Sequence, residues 1–155
     1  MSSVPNEPEP FEFWPEGTDA LVVPGLPGRA DDTEAAENAL YPSSTIDVIK
    51  LLREQGMTVD YAAVDKPRAE LALKAAELWV PLIIFARDVL ADGGAHVLVD
   101  VVWDRLHGRN HGKSILHLKV GSRDADGQVD WFESHGHADD VLDAFTLWAE
   151  DDKQS

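Results

Sequence analysis

Imidazole and carboxylate groups recur at helical spacing where the chain runs from Ala95 towards His111. His96, Asp100, Trp103 and His107 step by four, three and four, with Asp104 and His111 close by. One such face could grip zinc or another divalent cation through ring nitrogens and carboxylate oxygens. A solvated polar stripe accounts for the same residues, and no His-Glu-x-x-His pattern accompanies them.

A second candidate is the stretch Ser122 to Glu133, which matches much of a calcium-loop register. Asp124 and Asp126 fall at its third and fifth positions, Gly127 at the sixth, Asp130 at the ninth and Glu133 at the twelfth. The first ligand position holds Ser122 instead of Asp, and the residues before it alternate like a strand where a calcium loop needs a helix. An Asp126-Gly127 hairpin turn explains the segment with fewer assumptions. The expectation is therefore no calcium binding tighter than about millimolar.

His135-Gly136-His137 precedes an acidic helix start, Asp139-Asp140. It reads as a strand-to-helix loop, and the two acids would oppose an anion at the helix amides. The only basic segment is the connector Arg105, His107, Arg109, His111 and Lys113, which reads as a solvated loop. No phosphate loop, Gly-x-Gly-x-x-Gly turn or Gly-x-Ser-x-Gly elbow occurs. With no Cys, thiolate nucleophiles, thiolate metal sites and disulfides are all excluded. No catalytic residue and no cofactor are assigned on these grounds. The weak metal candidates stay His96, Asp100 and His107, with Asp124, Asp126, Asp130 and Glu133.

The 155 residues fit one domain, and 44% apolar content supplies a core. The formal net charge is −16 and sits at the two ends. Residues 1–39 hold nine acids against Arg29, and residues 124–155 hold ten against Lys153. Such a surface repels phosphate backbones, which argues against nucleic acid and for a protein partner with basic character. No leader-like apolar run opens the chain, and no stretch is long and apolar enough to cross a membrane, so a cytoplasmic protein is expected.

The elements that must position these groups begin late. Residues 1–40 read as an acidic, poorly ordered extension, with residues 1–18 a dispensable tail and Ala20–Val23 at most a short edge strand. Residues 41–151 form the domain. Ser44 and Asp47 resemble a capping box. Ile46, Ile49 and Leu52 continue that helix to Gly56, and a strand follows over 58–62. The apolar stepping of Leu71, Ala75, Leu78, Leu82, Phe85 and Val89 predicts a central helix over 67–90, kinked at Pro81. A break at Asp92-Gly93-Gly94 separates it from a helix over 95–106. Strands over 115–120 and 128–133 pair as a hairpin, and Val141, Phe145 and Trp148 mark the buried face of a terminal helix. The fold class is α+β, two layers, with a small, mostly antiparallel sheet (58–62, 115–120, 128–133) against three to four helices.

This order of elements over residues 44–150 resembles the effector-associated constant components of bacterial conflict and phage-defence systems. The resemblance is carried by the Trp79-Val80-Pro81 segment, the strand from Lys113 to Val120, and the strand Val129 to Phe132 leading into the terminal helix. It implies a non-enzymatic adaptor or regulator working beside a separate effector, with no catalytic residues; the acidic extension lies outside the pattern. The functional expectation is a non-catalytic interaction module. Two alternatives stand beside it: an acidic immunity protein masking a basic toxin, and a metal-dependent enzyme or calcium-binding protein.

Overall fold

The computed structural model describes residues 14–27, 40–62, 69–71, 77–106 and 114–154. Among these residues, eight strands and three main helices run in the order β1 (Ala20–Val23), β2 (Leu40–Pro42), α1 (Thr45–Glu54), β3 (Val59–Tyr61), β4 (Ala69–Leu71), β5 (Glu77–Trp79), β6 (Leu82–Ala86), α2 (Ala95–Arg105), β7 (Ile115–Arg123), β8 (Val129–His137) and α3 (Ala138–Gln154). The α+β class is as expected. The sheet is larger than expected, and it is mixed where a mostly antiparallel one was expected. β1 pairs parallel with β3 and antiparallel with β6, β5 and β6 both pair parallel with β7, and β8 pairs antiparallel with β7. Since β8 lines the whole of β7, β5 and β6 share its other side, and among the described residues β3 and β8 are the outermost strands. β2 and β4 form a separate parallel pair.

The expected helix over 67–90 is not formed. Its described residues are the strands β4, β5 and β6, followed by a single helical turn at Arg87–Val89. The segment Glu77–Ala86 is rich in aromatic and β-branched side chains, which suit a pleat, and Pro81 would cost a helix a backbone hydrogen bond. A strand buried on both faces reads as one apolar run, so helical stepping was present by composition alone.

Pro81 marks a one-residue bulge. Trp79 is opposite His117 and Ile83 is opposite Val120, so four steps on one strand match three on the other. The Val80 amide donates to the His117 carbonyl at 3.1 Å. The extra residue switches the parity of the faces. Leu78 and Val80 before it, and Ile83 and Phe85 after it, all join the main core. Leu82 and Ile84 point to the other side with Trp14, Val129 and Trp131.

All three helices cover one face of the sheet. Val48, Ile49 and Leu52 of α1, Leu98, Val101 and Val102 of α2, and Val141, Leu142 and Phe145 of α3 meet Ala20, Val22, Leu116, Leu118 and Val120. α1 ends as expected at Gly56, whose φ of 95° favours glycine. The Met57 amide donates to the Leu52 carbonyl and the Gly56 amide to that of Arg53, closing the last turn. The expected capping box is absent: the Ser44 hydroxyl donates to the Trp79 carbonyl. Ile46, expected inward, is 59% exposed. The break at Asp92-Gly93 is formed as expected, a kink with Gly93 at φ 105° inside a π-turn, Leu90–Gly94.

The boundary at residue 41 does not hold. β1 is an interior strand, not an edge, and its four residues are buried. Trp14, expected in the tail, packs on the outer sheet face and donates its indole N–H to the Thr18 carbonyl at 3.0 Å.

Candidate functional site

The outer face of the β7–β8 ribbon gathers most of the chemistry-bearing side chains that share a surface. Antiparallel pairing sets Ile115 opposite His137, His117 opposite His135, Lys119 opposite Glu133 and Gly121 opposite Trp131. Gly121 has no side chain for a steric reason. A Cβ there would lie 2.8 Å from Cγ1 of Val129 and 3.2 Å from the Trp131 ring. Lys119 Nζ stands 5.0 Å from the centre of the same ring, a cation–π distance.

At the other end of the ribbon, β5 brings Glu77 and Trp79 beside β7. Trp79 stacks on His117 with ring centres 3.6 Å apart and planes within 10°. His117 Nε2 donates to Glu77 Oε1 at 2.6 Å, with side chains 14% and 24% exposed. The carboxylate and the indole therefore fix the ring's orientation from two directions. The His135 ring centre is 5.7 Å from that of His117. A carboxylate-oriented imidazole can hold or pass a proton. Among the described residues no group of three or more His, Cys, Asp or Glu is arranged to hold a metal ion.

The sequence reading missed Glu77 and Trp79 as partners of His117. The hairpin register could have been counted outward from the Asp126-Gly127 turn, which places His117 opposite His135. Nothing local pointed to Glu77, because β5 reaches β7 from forty residues away in sequence.

His135 and His137, expected in a loop, are the last outward-facing residues of β8. His96 and Asp100 do lie on one side of α2, with Nε2 and Oδ2 3.8 Å apart, but at 82% and 62% exposure they are a solvated pair. Asp104 is exposed and Trp103 packs against the core, while His107 and His111 lie outside the described residues. So do Arg109 and Lys113. Arg105 makes an ion pair with Asp47 at 3.4 Å, tying α2 to α1.

The calcium register is taken apart by the hairpin. Asp124 Oδ1 accepts from the Asp126 amide at 2.9 Å and from the Gln128 amide at 3.0 Å, so it closes the turn. Asp130 and Glu133 differ in parity along β8 and point to opposite faces of the sheet. Four carboxylates on those positions do not converge on one point. Calorimetry with calcium chloride at low ionic strength should show no saturable binding at micromolar calcium. Such binding, lost in Glu133→Gln, would mean that the hairpin opens.

Beyond the side chains, β8 offers its backbone. The Asp124 amide bonds the Gln128 carbonyl and the Ala138 amide bonds the Ser114 carbonyl, which fixes the ladder's parity. The even residues Asp130 to Gly136 exchange bonds with β7. The N–H and C=O groups of Val129, Trp131, Glu133, His135 and His137 face away from it. Among the described residues no backbone group pairs with them. A shallow cavity of about 350 Å³ lies elsewhere, between α1 and β3, lined by Ile46, Ile49, Lys50, Arg53, Glu54 and Tyr61. No helix among the described residues is long and apolar enough to cross a membrane. No family model matches the chain, and neither any curated protein nor any solved structure does.

Proposed function

We propose that this chain is a non-catalytic adaptor or regulatory module that recognises protein by accepting an extended strand along β8. The observation that carries the reading is the nine-residue edge of β8, whose outward backbone groups pair with nothing among the described residues. A long edge strand with unpaired backbone groups is a template for strand addition, and soluble proteins that do not use such an edge shorten or cover it. The outward side chains Trp131, Glu133 and His135 supply one aromatic anchor and polar specificity around it. The resemblance to bacterial effector-associated modules supports a place beside a defence effector in the cytoplasm. The acidic surface disfavours a nucleic-acid partner.

A second reading, an immunity protein that masks a basic toxin, is favoured by the charge of −16 concentrated in the two terminal segments. Complexes of that kind weaken as salt rises.

The test exploits the ladder's parity. Proline at position 135 removes an outward N–H and leaves every bond to β7 in place. In capture from native lysate, the wild-type chain should retain a partner that His135→Pro loses, while both variants keep the same circular dichroism. Equal capture by both would exclude the β8 edge. Elution of the captured partner by moderate salt would favour the immunity reading over the adaptor one.

A further inference from the structure

Resting on the reading of β8 as a strand-accepting edge, we infer that the strand it accepts is β8 of a second copy, forming a two-fold dimer with one continuous sheet. Antiparallel addition of β8 to itself requires an outward-facing residue of one copy opposite an outward-facing residue of the other. Three central registers meet this condition. Centred on Glu133, the pairing sets two carboxylates against each other. Centred on Phe132, it places Trp131 against Glu133. Centred on Ser134, it sets Glu133 of each copy opposite His135 of the other, twice by symmetry, and Trp131 opposite His137. Phe132 then lies opposite Gly136, which has no side chain to crowd it. Only the last register sets an imidazole N–H donor opposite each Glu133 carboxylate, and complementary cross-strand pairs stabilise a sheet where two facing carboxylates oppose it.

A second feature lies on the same edge. Trp148 of α3 reaches across to Phe132 of β8, with ring centres 5.6 Å apart. Ala144 and Leu147 lie on the flank of α3 beside Trp148, both exposed, and Leu147 is 65% exposed. Sheet edge and helix flank thus present one two-layer margin. A two-fold axis beside β8 brings each α3 flank to its own copy, as closed symmetry requires. In this register the seven residues Trp131–His137 pair over about 23 Å, and two layers are about 20 Å deep, giving roughly 460 Å² per copy. That area falls below the usual range of stable interfaces, so the dimer should be weak and readily dissociated. Self-pairing at such affinity covers the edge and still yields it to a tighter strand.

Two chains of −16 repel one another, so salt should tighten this dimer, the reverse of a complex with a basic partner. Sedimentation velocity of the full chain over a concentration series, at low and at high salt, reads this directly. Glu133→His and His135→Glu each place like groups opposite one another and should weaken the dimer about tenfold. The double variant exchanges the pair and should restore wild-type association. His135→Pro should leave a folded monomer. A chain that stays monomeric at all concentrations, while His135→Pro still abolishes capture of another protein, overturns the second copy and leaves strand addition standing. A dimer indifferent to His135→Pro overturns the β8 interface. Weakening by both single changes without rescue by the double change overturns the register.

Discussion

A chain beginning at Tyr41 should give no cooperative thermal transition. Such a truncation removes β1, which lies between β3 and β6 and pairs with both. Ala20 and Val22 are fully buried, Leu21 is 1% and Val23 5% exposed, and Leu26 just beyond is also fully buried. Burying each Leu or Val side chain contributes about 1.5–3 kcal/mol, so the four larger ones contribute about 6–12 kcal/mol. A domain's whole net stability is about 5–15 kcal/mol. Loss of β1 also strands backbone groups of β3 and β6 without partners. Far-ultraviolet circular dichroism against temperature should show a broad, featureless slope for the truncated chain. A sharp melt near the full-length midpoint would mean that the sheet begins at β6 and that β1 is an accessory strand.

Phe85→Ala should cost about 3–5 kcal/mol, read as a fall in the urea midpoint with an unchanged slope. The ring is fully buried on the helix-covered face of β6, beside Ala20, which is opposite it in register. With β1 on one side and β7 on the other, β6 has little room to collapse around the space the ring leaves. Ile46→Ala is the matched control, since its side chain is 59% exposed and its loss should stay within about 0.5 kcal/mol. A cost below about 1 kcal/mol for Phe85→Ala would place that ring on a surface.

Several parts of this protein were legible without coordinates because their signals are local. The hairpin of β7 and β8 follows from alternation on both sides of Asp126-Gly127, where the turn chemistry leaves little choice. α1 follows from Ile49, Leu52 and the terminating Gly56, and α3 from Val141, Phe145 and Trp148 behind two acids. The absence of Cys and the acidic ends are properties of composition and hold whatever the fold. His117 opposite His135 was within reach of the sequence once the turn was placed.

Tertiary structure alone decided the rest, and each case has its cause. The segment 77–86 is apolar at almost every position, so its period is hidden, and what makes it a strand is the company of β1 and β7 on either side. The bulge at Val80-Pro81 then reverses which face each side chain meets, a shift no periodicity count across it survives. β1 looked like an accessory strand because four residues carry little pattern, and burial on both faces gives those four their weight. Glu77 meets His117, and Trp79 stacks on it, only because parallel pairing joins distant stretches of chain. Local pattern specifies elements; which faces those elements bury, and which strands lie outermost among the described residues, is set by pairing between residues far apart in sequence.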